Sequence, residues 1–363
     1  MIGLPNAGKT TLFNALTGAG AAVAPYPFCT IEPNAGMVPV PDARLETLAR
    51  MVRPEKITPA SVHFVDIAGL VRGASRGEGL GNRFLAHIRE VDAVVHVVRL
   101  FTDPQVSHVE GGVDPVRDVQ TVDTELCLAD LETIARRLDR IEKAARLGDA
   151  AHRSEAAVLR RLEAGLNEGL PVRRQLLDAA ESEHARGLHL LTARPAVYVA
   201  NVAESDLGRP PGPALAALFE HARAEGAPVV VLSASFEAEL AELEPADKEV
   251  FLADAGLTEP SVRALVRAGY NLLDLVTFFT TRRPELRAWT VRRGTTALEA
   301  AGKIHTDFAR GFIRAEVLSF AEVEKSGDLN AAREQGRIRI EGRDYQVRDG
   351  DIIYFRFNVT STS

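Results

Sequence analysis

Apolar residues recur along this chain in three different rhythms. Over the first 125 residues, short β-rich runs alternate with helical stretches, and 62–65 and 93–98 read as buried parallel strands. From Leu126 the spacing changes to threes and fours, with Leu131, Ile134, Leu138 and Ile141 set among Arg, Glu and Asp, which places one apolar stripe on a helix. After a break near Gly148 a second such helix carries Val158, Leu162 and Leu166, closed by Gly169, Leu170 and Pro171. The first rhythm returns at 195–200 and 227–232, so the two helices are predicted to be an antiparallel hairpin inserted into an α/β domain. Beyond about Leu275, the β-rich pieces 288–291, 336–340 and 352–357, separated by Gly and Asp turns, predict a small α+β domain. The expected organisation is α/β: a first part over 1–125, the helical insertion over 126–192, a second part over 193–275 and the C-terminal domain over 276–363.

At 363 residues the chain is too long for one ordinary core. With 46% hydrophobic and 26% charged residues it has the composition of a folded globular protein. No apolar run approaches the roughly 20 residues that span a bilayer, and no signal segment opens the chain, so a cytoplasmic protein without a membrane partner is expected. Cys29 and Cys127 are too few for a disulfide framework and read as packing residues. The net charge of −7 is uneven, with 15 Lys and Arg against 12 Asp and Glu from Val276 onward, which only weakly favours a polyanion partner.

Gly3-Leu4-Pro5-Asn6-Ala7-Gly8-Lys9-Thr10 matches G-x-x-x-x-G-K-[ST], the loop whose backbone N–H groups surround a β-phosphate at a helix N-terminus. The expected fold is thus a P-loop NTPase domain. Asn6, Ala7, Gly8, Lys9, Thr10 and Thr11 are expected around the phosphates, with Lys9 the cation and the Thr10 hydroxyl a ligand for Mg²⁺. Only Met1 and Ile2 precede Gly3, where a buried strand belongs, so either the start is mis-set or truncated or the site is compromised; a mis-set start is favoured, because a sheet without its central strand exposes its neighbours. Asp66-Ile67-Ala68-Gly69 follows a strand, so Asp66 is a second candidate at the metal and Gly69 a γ-phosphate sensor; Thr30 is placed to cap the metal from a loop. Leu70 stands where Ras-like proteins place the glutamine that orients water, so hydrolysis needs another arrangement. The glycine-rich stretch 73–81 reads as a switch loop. Guanine-specific switches present N-K-x-D, whereas here a strand ends in Asn201-Val202-Ala203-Glu204, and a second ends in Ser233-Ala234-Ser235, whose amides could touch the base.

Residues 3–17, the string Asp-Ile-Ala-Gly-Leu-Val-Arg-Gly-Ala-Ser-Arg-Gly-Glu-Gly-Leu-Gly-Asn (66–82) and Asn201 to Glu204 closely resemble the Obg-like ATPase, or YchF, family. The C-terminal strings Arg287-Ala288-Trp289-Thr290-Val291, Ile304-His305-Thr306-Asp307-Phe308, Gly311-Phe312-Ile313-Arg314-Ala315-Glu316-Val317 and Asp349-Gly350-Asp351 resemble that family's TGS domain, of β-grasp type. The resemblance implies a slow ATPase that prefers ATP to GTP, works as a switch with Mg²⁺, and associates with the ribosome, modulating translation or the stress response. It implies that Asn201, Val202 and Glu204 lie at the adenine edge with Ser233 and Ala234 beside the base. It also implies that His108 replaces the missing glutamine, joining Lys9 and Gly69 as catalytic candidates. Asn6 matches a residue that lets some relatives bind K⁺ beside the phosphates.

Arg282, Arg283, Arg287, Arg292, Arg293, Arg310 and Arg314 could meet rRNA phosphates, with the helical hairpin a second contact to the large subunit or the whole particle. A monomer that binds no DNA is expected. Two alternatives compete with the ATP-driven switch. One is an Obg-type GTPase, and the other, suggested by Leu70, is a nucleotide-regulated scaffold with negligible turnover.

Overall fold

The computed structural model describes the chain except residues 19–21, 24–33, 68, 70–72, 74–79, 148, 283 and 359–363. Cys29, Thr30, Arg283 and most of the 73–81 stretch lie outside the described residues. The strands are β1 (Ala22–Val23), β2 (Asn34–Pro39), β3 (Lys56–Thr58), β4 (Ser61–Asp66), β5 (Val94–Arg99), β6 (Ala196–Asn201), β7 (Val229–Leu232), β8 (Leu275–Thr280), β9 (Glu285–Arg292), β10 (Phe312–Ser319), β11 (Arg339–Glu341) and β12 (Asp351–Phe357). The helices are α1 (Lys9–Gly18), α2 (Ala43–Val52), α3 (Leu80–Glu90), α4 (Pro115–Arg146), α5 (Ala150–Asn167), α6 (Ala179–Arg186), α7 (Pro213–Glu225), α8 (Ala234–Glu242), α9 (Pro245–Asp254), α10 (Ser261–Leu272) and α11 (Ala297–Ile304), followed by three short ones to Glu334.

Two compact units emerge: Met1–Met37 with His63–Gly269, and Val38–Val62 with Tyr270–Ser363. Residues 38–62, expected within the first domain, therefore belong with the C-terminal residues. The reason is strand pairing, since β3 runs parallel to β9 from Lys56 opposite Glu285 to Thr58 opposite Arg287. Arg44 adds a bond of 2.7 Å to Asp349. Nothing in the apolar rhythm marks so short an edge strand, two of whose three side chains are exposed.

In the first unit the parallel strands β5, β6 and β7 lie side by side, and all six residues of β6 are buried. Met1 and Ile2 continue this pairing. Ile2 accepts from Val97 N–H at 2.9 Å and donates to Val95 O at 2.8 Å, while Ile67 N–H reaches Met1 O at 3.2 Å. The two residues before the phosphate loop thus sit between β4 and β5 and set where the loop begins.

Helix α4 begins at Pro115, well before the expected start near Leu126. Asp114 caps it through Arg117 N–H at 3.1 Å, and Pro115, which has no N–H to leave unpaired, occupies the first turn. Val119 and Val122, both 0% exposed, place this opening part in the core of the α/β unit. Ile134 and Ile141 then meet Leu159, Leu162 and Leu166 of α5 along the hairpin. That change of neighbours is the change of rhythm seen at Leu126. Cys127 is buried in this seam, and burial pushes its thiol up to about 12, consistent with an inert packing residue.

Two buried polar networks fix the hairpin to the sheet. The Asp130 carboxylate, 0% exposed, accepts from Leu191 N–H and Thr192 N–H, both at 2.8 Å, and from the Thr192 hydroxyl at 2.7 Å. Arg173, just after the hairpin, donates to Asp123 of α4 at 2.7 Å and to Glu225 of α7 at 3.2 Å, and Glu225 also accepts from Tyr198 of β6 at 2.7 Å. Asp123, His221 and Glu225 bring possible metal-ligand atoms within 4.8 Å of one another, but the Arg173 guanidinium already supplies the positive charge there.

The second unit is a six-stranded mixed sheet in the order β11-β10-β12-β8-β9-β3. Helix α11, closed at its start by a reciprocal Thr296–Glu299 capping box, packs Ala297, Ala300 and Ala301 into a core with Phe278, Val291, Phe312 and Ile353. The C-terminal α+β domain is therefore present.

Replacing Asp130 with alanine would strand three buried donors at about 1–3 kcal/mol each before relaxation. Asp130→Ala is expected to lower the thermal unfolding midpoint by several degrees, on the order of 5–10 °C. A midpoint within about 1 °C of the parent would show that this anchor does not hold the hairpin.

Candidate functional site

The phosphate loop is built by close approaches that only glycine permits. Gly3 has φ +145°, and a Cβ there would stand 2.3 Å from Val97 O of β5. A Cβ on Gly8, at φ +92°, would stand 2.2 Å from Asn201 Nδ2. The loop is thus pressed against the C-terminal ends of β5 and β6, and Asn6 takes a left-handed φ of 61° at its turn. Gly69 comes close from the other side: a Cβ there would meet Pro5 N at 2.8 Å. The loop runs directly into the N-terminus of α1 at Lys9, the arrangement that favours an anion.

Lys9 is 6% exposed and its Nζ donates to Leu4 O at 2.8 Å, spanning the loop from inside. Burial lowers its pKa from the ordinary 10.5 to about 8, with Asp66 opposing the shift. The Thr10 hydroxyl donates to Asp66 Oδ2 at 2.8 Å, and Asp66 Oδ1 is buried with no partner among the described residues. An orphaned carboxylate oxygen beside a hydroxyl, within reach of a phosphate loop, is a donor set that suits a divalent cation with hard oxygen ligands. Thr30, the third expected metal residue, lies outside the described residues.

Asn201 is the tie between the strands and the loop. Its Nδ2 donates to Ala7 O at 2.9 Å and its Oδ1 accepts from Ala234 N–H at 2.9 Å. Val202 N–H donates to Leu232 O at 2.9 Å, which aligns the ends of β6 and β7. Ser233 caps α8 and is 1% exposed, so it and Ala234 are held firmly. Glu204 begins a 3-10 turn, Glu204–Asp206, and is exposed; its carboxylate has no hydrogen-bond partner among the described residues. Thr11 is exposed on the first turn of α1.

His108 is held in a different way. Glu110 N–H donates to its Nδ1 at 3.1 Å, which leaves Nε2 as the donor to Asp118 Oδ2 at 2.9 Å. Asp118 in turn binds Arg117 at 2.9 Å. Both ring nitrogens are therefore engaged away from the phosphate loop. The loop itself is nonetheless tied to the site, because Asn6 Nδ2 donates to Ser107 O at 3.1 Å. Arg99, 4% exposed at the end of β5, gives its guanidinium to Phe101 O, Val106 O and Ser107 O at 3.2, 2.8 and 3.2 Å. It also stacks over the Phe101 ring at 4.4 Å. Sequence reasoning missed Arg99; its signal is an arginine at the carboxyl end of an otherwise apolar strand, the edge where ligands bind in parallel sheets. It also missed Glu125, which accepts from Gly73 N–H at 2.7 Å and so touches the expected switch loop.

The comparisons with known proteins follow the same division. A family model described as a 50S ribosome-binding GTPase matches residues 1–135. A YchF GTPase C-terminal model, described as a protein of unknown function, matches residues 275–358. The chain is 48% identical over 360 residues to the protein named ribosome-binding ATPase YchF of Bacillus subtilis, covering 99% of this chain and 98% of that one. This chain belongs to the YchF family. Its YchF relative from Haemophilus ducreyi is 50% identical over 359 residues, with the same coverage of 99% and 98%. The solved structure of the YchF GTPase from Schizosaccharomyces pombe superposes with a TM-score of 0.86 at 35% identity, covering 98% of this chain and 96% of that one. The P-loop domain and the C-terminal α+β domain are accordingly those of a YchF protein.

Lys9 must carry its proton to pair with phosphate, so nucleotide affinity is expected to fall as pH rises above about 8. Titrations with an ATP analogue between pH 7 and 9.5 should show a loss approaching tenfold per pH unit, since binding must then take up a proton. A flat profile over that range would show that burial does not lower the Lys9 pKa into it.

Proposed function

We propose that this chain is an ATP-driven switch that binds the ribosome and hydrolyses ATP slowly. The observation that carries this reading is the Thr10–Asp66 pair, with its unpartnered Asp66 Oδ1, set inside a complete phosphate loop. It is joined by whole-chain identity of 48% to a relative named ribosome-binding ATPase. P-loop nucleotide hydrolases use a divalent cation; here Thr10, Asp66 and Thr30 would hold Mg²⁺, which when bound offsets phosphate charge. Main-chain N–H groups of Asn6 to Thr10 and the Lys9 ammonium bind and orient the triphosphate, with Thr11 flanking them. Asn201, Val202 and Glu204 meet the adenine edge, Glu204 as an acceptor for the 6-amino group, and Ser233 and Ala234 border the base. Asn6 would bind K⁺ where other switches use an arginine.

In the reactive state His108 leaves Asp118 and Glu110 to orient the attacking water, and Gly69 N–H reads the γ-phosphate. The resting hydrogen bonds of His108 account for slow turnover in isolation, since the ring must be released first. The 73–81 segment responds to the γ-phosphate. The C-terminal unit, a TGS-type β-grasp domain, meets rRNA. The protein acts as a monomer in the cytoplasm; among its described residues no helix is long and apolar enough to cross a membrane.

A GTPase is the second reading, favoured by the likeness to the Schizosaccharomyces pombe structure, which is named as a GTPase. Equilibrium binding of fluorescent ATP and GTP analogues with Mg²⁺ separates the two: ATP is expected to bind at least tenfold more tightly, and Glu204→Asp to narrow that gap. Tighter GTP binding would overturn the base assignment.

His108→Ala is expected to leave the ATP dissociation constant within about twofold while lowering ribosome-stimulated turnover by roughly a hundredfold or more. Parental turnover in this variant would return His108 to the status of a loop-capping residue. Nucleotide binding without phosphate release, even with ribosomes present, would favour a scaffold.

A further inference from the structure

Arg99 ends β5 with a charge that is buried and that no carboxylate neutralises. The residue is 4% exposed, and each of its guanidinium nitrogens donates to a main-chain carbonyl: Nε to Phe101 O at 3.2 Å, Nη2 to Val106 O at 2.8 Å and Nη1 to Ser107 O at 3.2 Å. Burying a cation against neutral acceptors is costly, and an apolar residue at the end of this apolar strand would avoid that cost. What an apolar residue could not do is gather three carbonyls from one short segment. Within residues 101–107 a turn is closed by Val106 N–H on Asp103 O at 3.1 Å and by Gln105 N–H on Asp103 Oδ1 at 2.8 Å. Neither of these bonds ties the segment to the sheet, and Arg99 does.

The chain on the two sides of His108 is held differently. Ser107 precedes it, and the Ser107 carbonyl accepts from Asn6 Nδ2 of the phosphate loop at 3.1 Å as well as from Arg99. On the other side, residues 108–111 close a turn of their own through Gly111 N–H on His108 O at 3.2 Å, and Gly111 takes φ +80°. Gly111 and Gly112 both have open space where a side chain would project. Helix α4 then starts behind its Asp114 cap. A turn anchored at Ser107 and joined to α4 through two glycines can swing about Ser107 without dragging the helix. Such a pivot keeps the imidazole one residue from the Asn6 contact throughout the swing.

We propose that Arg99 is a positioning residue for hydrolysis, fixing Ser107 as the pivot about which His108 moves from Asp118 to the attacking water. The proposal rests on the role given to His108 above and names what aims that residue. Arg99 acts only through the segment it holds, since Ser107 O stands between its guanidinium and Asn6. Lysine does not replace it: one ammonium on a flexible stem has no planar fork to span three carbonyls. A misplacement of about 1 Å can cost on the order of a hundredfold in rate, so loss of this anchor is read in turnover and not in nucleotide affinity.

The test is a double-mutant cycle on the full chain with Arg99→Lys and His108→Ala, reading ribosome-stimulated kcat, KM and the equilibrium affinity for an ATP analogue. Arg99→Lys is expected to lower kcat about ten- to thirtyfold, with KM and the dissociation constant within about twofold of the parent. In the His108→Ala background the same change is expected to cost less than about twofold, because the residue it positions is gone. A merely structural arginine would slow both backgrounds alike, and that additivity overturns the proposal. Parental turnover of Arg99→Lys beside a slow His108→Ala overturns it too and leaves the reading of His108 intact, whereas parental turnover of His108→Ala removes that reading itself. Phe101→Leu covers the case in which Arg99→Lys lowers the thermal midpoint by more than about 5 °C, since it removes only the ring 4.4 Å from the guanidinium. It is expected to lower kcat about threefold in the parent and not at all in His108→Ala. An equal effect in both backgrounds, including none, overturns the proposal.

Discussion

A triphosphate can be gripped by main-chain N–H groups only where the backbone curls tightly and no Cβ intrudes, and this requirement governs the first unit. Gly3 and Gly8 lie against β5 and Asn201 so closely that any side chain would collide. The ends of β5 and β6 must therefore stay where they are for the loop to exist. Asn201 enforces this, because one carboxamide bonds Ala7 of the loop and Ala234 at the start of α8. Any shift of Asn201 would therefore disturb the loop and the start of α8 together.

Buried charge is concentrated where elements must move as a unit. Asp130 and the Arg173–Asp123–Glu225–Tyr198 network fix α4 to the strands behind it. The same helix presents Glu125 to Gly73 near the expected switch loop and Asp118 to His108. Helix α4 is thus in contact with both segments, and the hairpin that prolongs it has its interior sealed by apolar side chains. Such a helix transmits displacement rather than absorbing it, which suits a switch whose reporter lies far from its phosphates.

Arg99 illustrates how a single buried cation can organise a loop. Its guanidinium is satisfied by three carbonyls rather than by a carboxylate. Because Ser107 O accepts from both Arg99 and Asn6, the segment leading to His108 is referenced directly to the phosphate loop. The imidazole itself is parked on Asp118.

The sequence by itself determined the chemistry of the loop, since glycine spacing, Lys9 and Thr10 admit few other uses. It also determined the alternation of elements, because burial on two faces, one stripe or one face leaves different apolar periods. Asp66 and Asn201 were readable as strand-end polar residues for the same reason. Only the tertiary structure decided that residues 38–62 join the C-terminal unit, that α4 starts at Pro115, and that His108 rests on Asp118. Each of these depends on a partner distant in sequence or on a cap too brief to leave a period. Arg99 was equally hidden: a charged residue looks the same in sequence whether it faces water, a carboxylate or three carbonyls, and only its neighbours in space distinguish them.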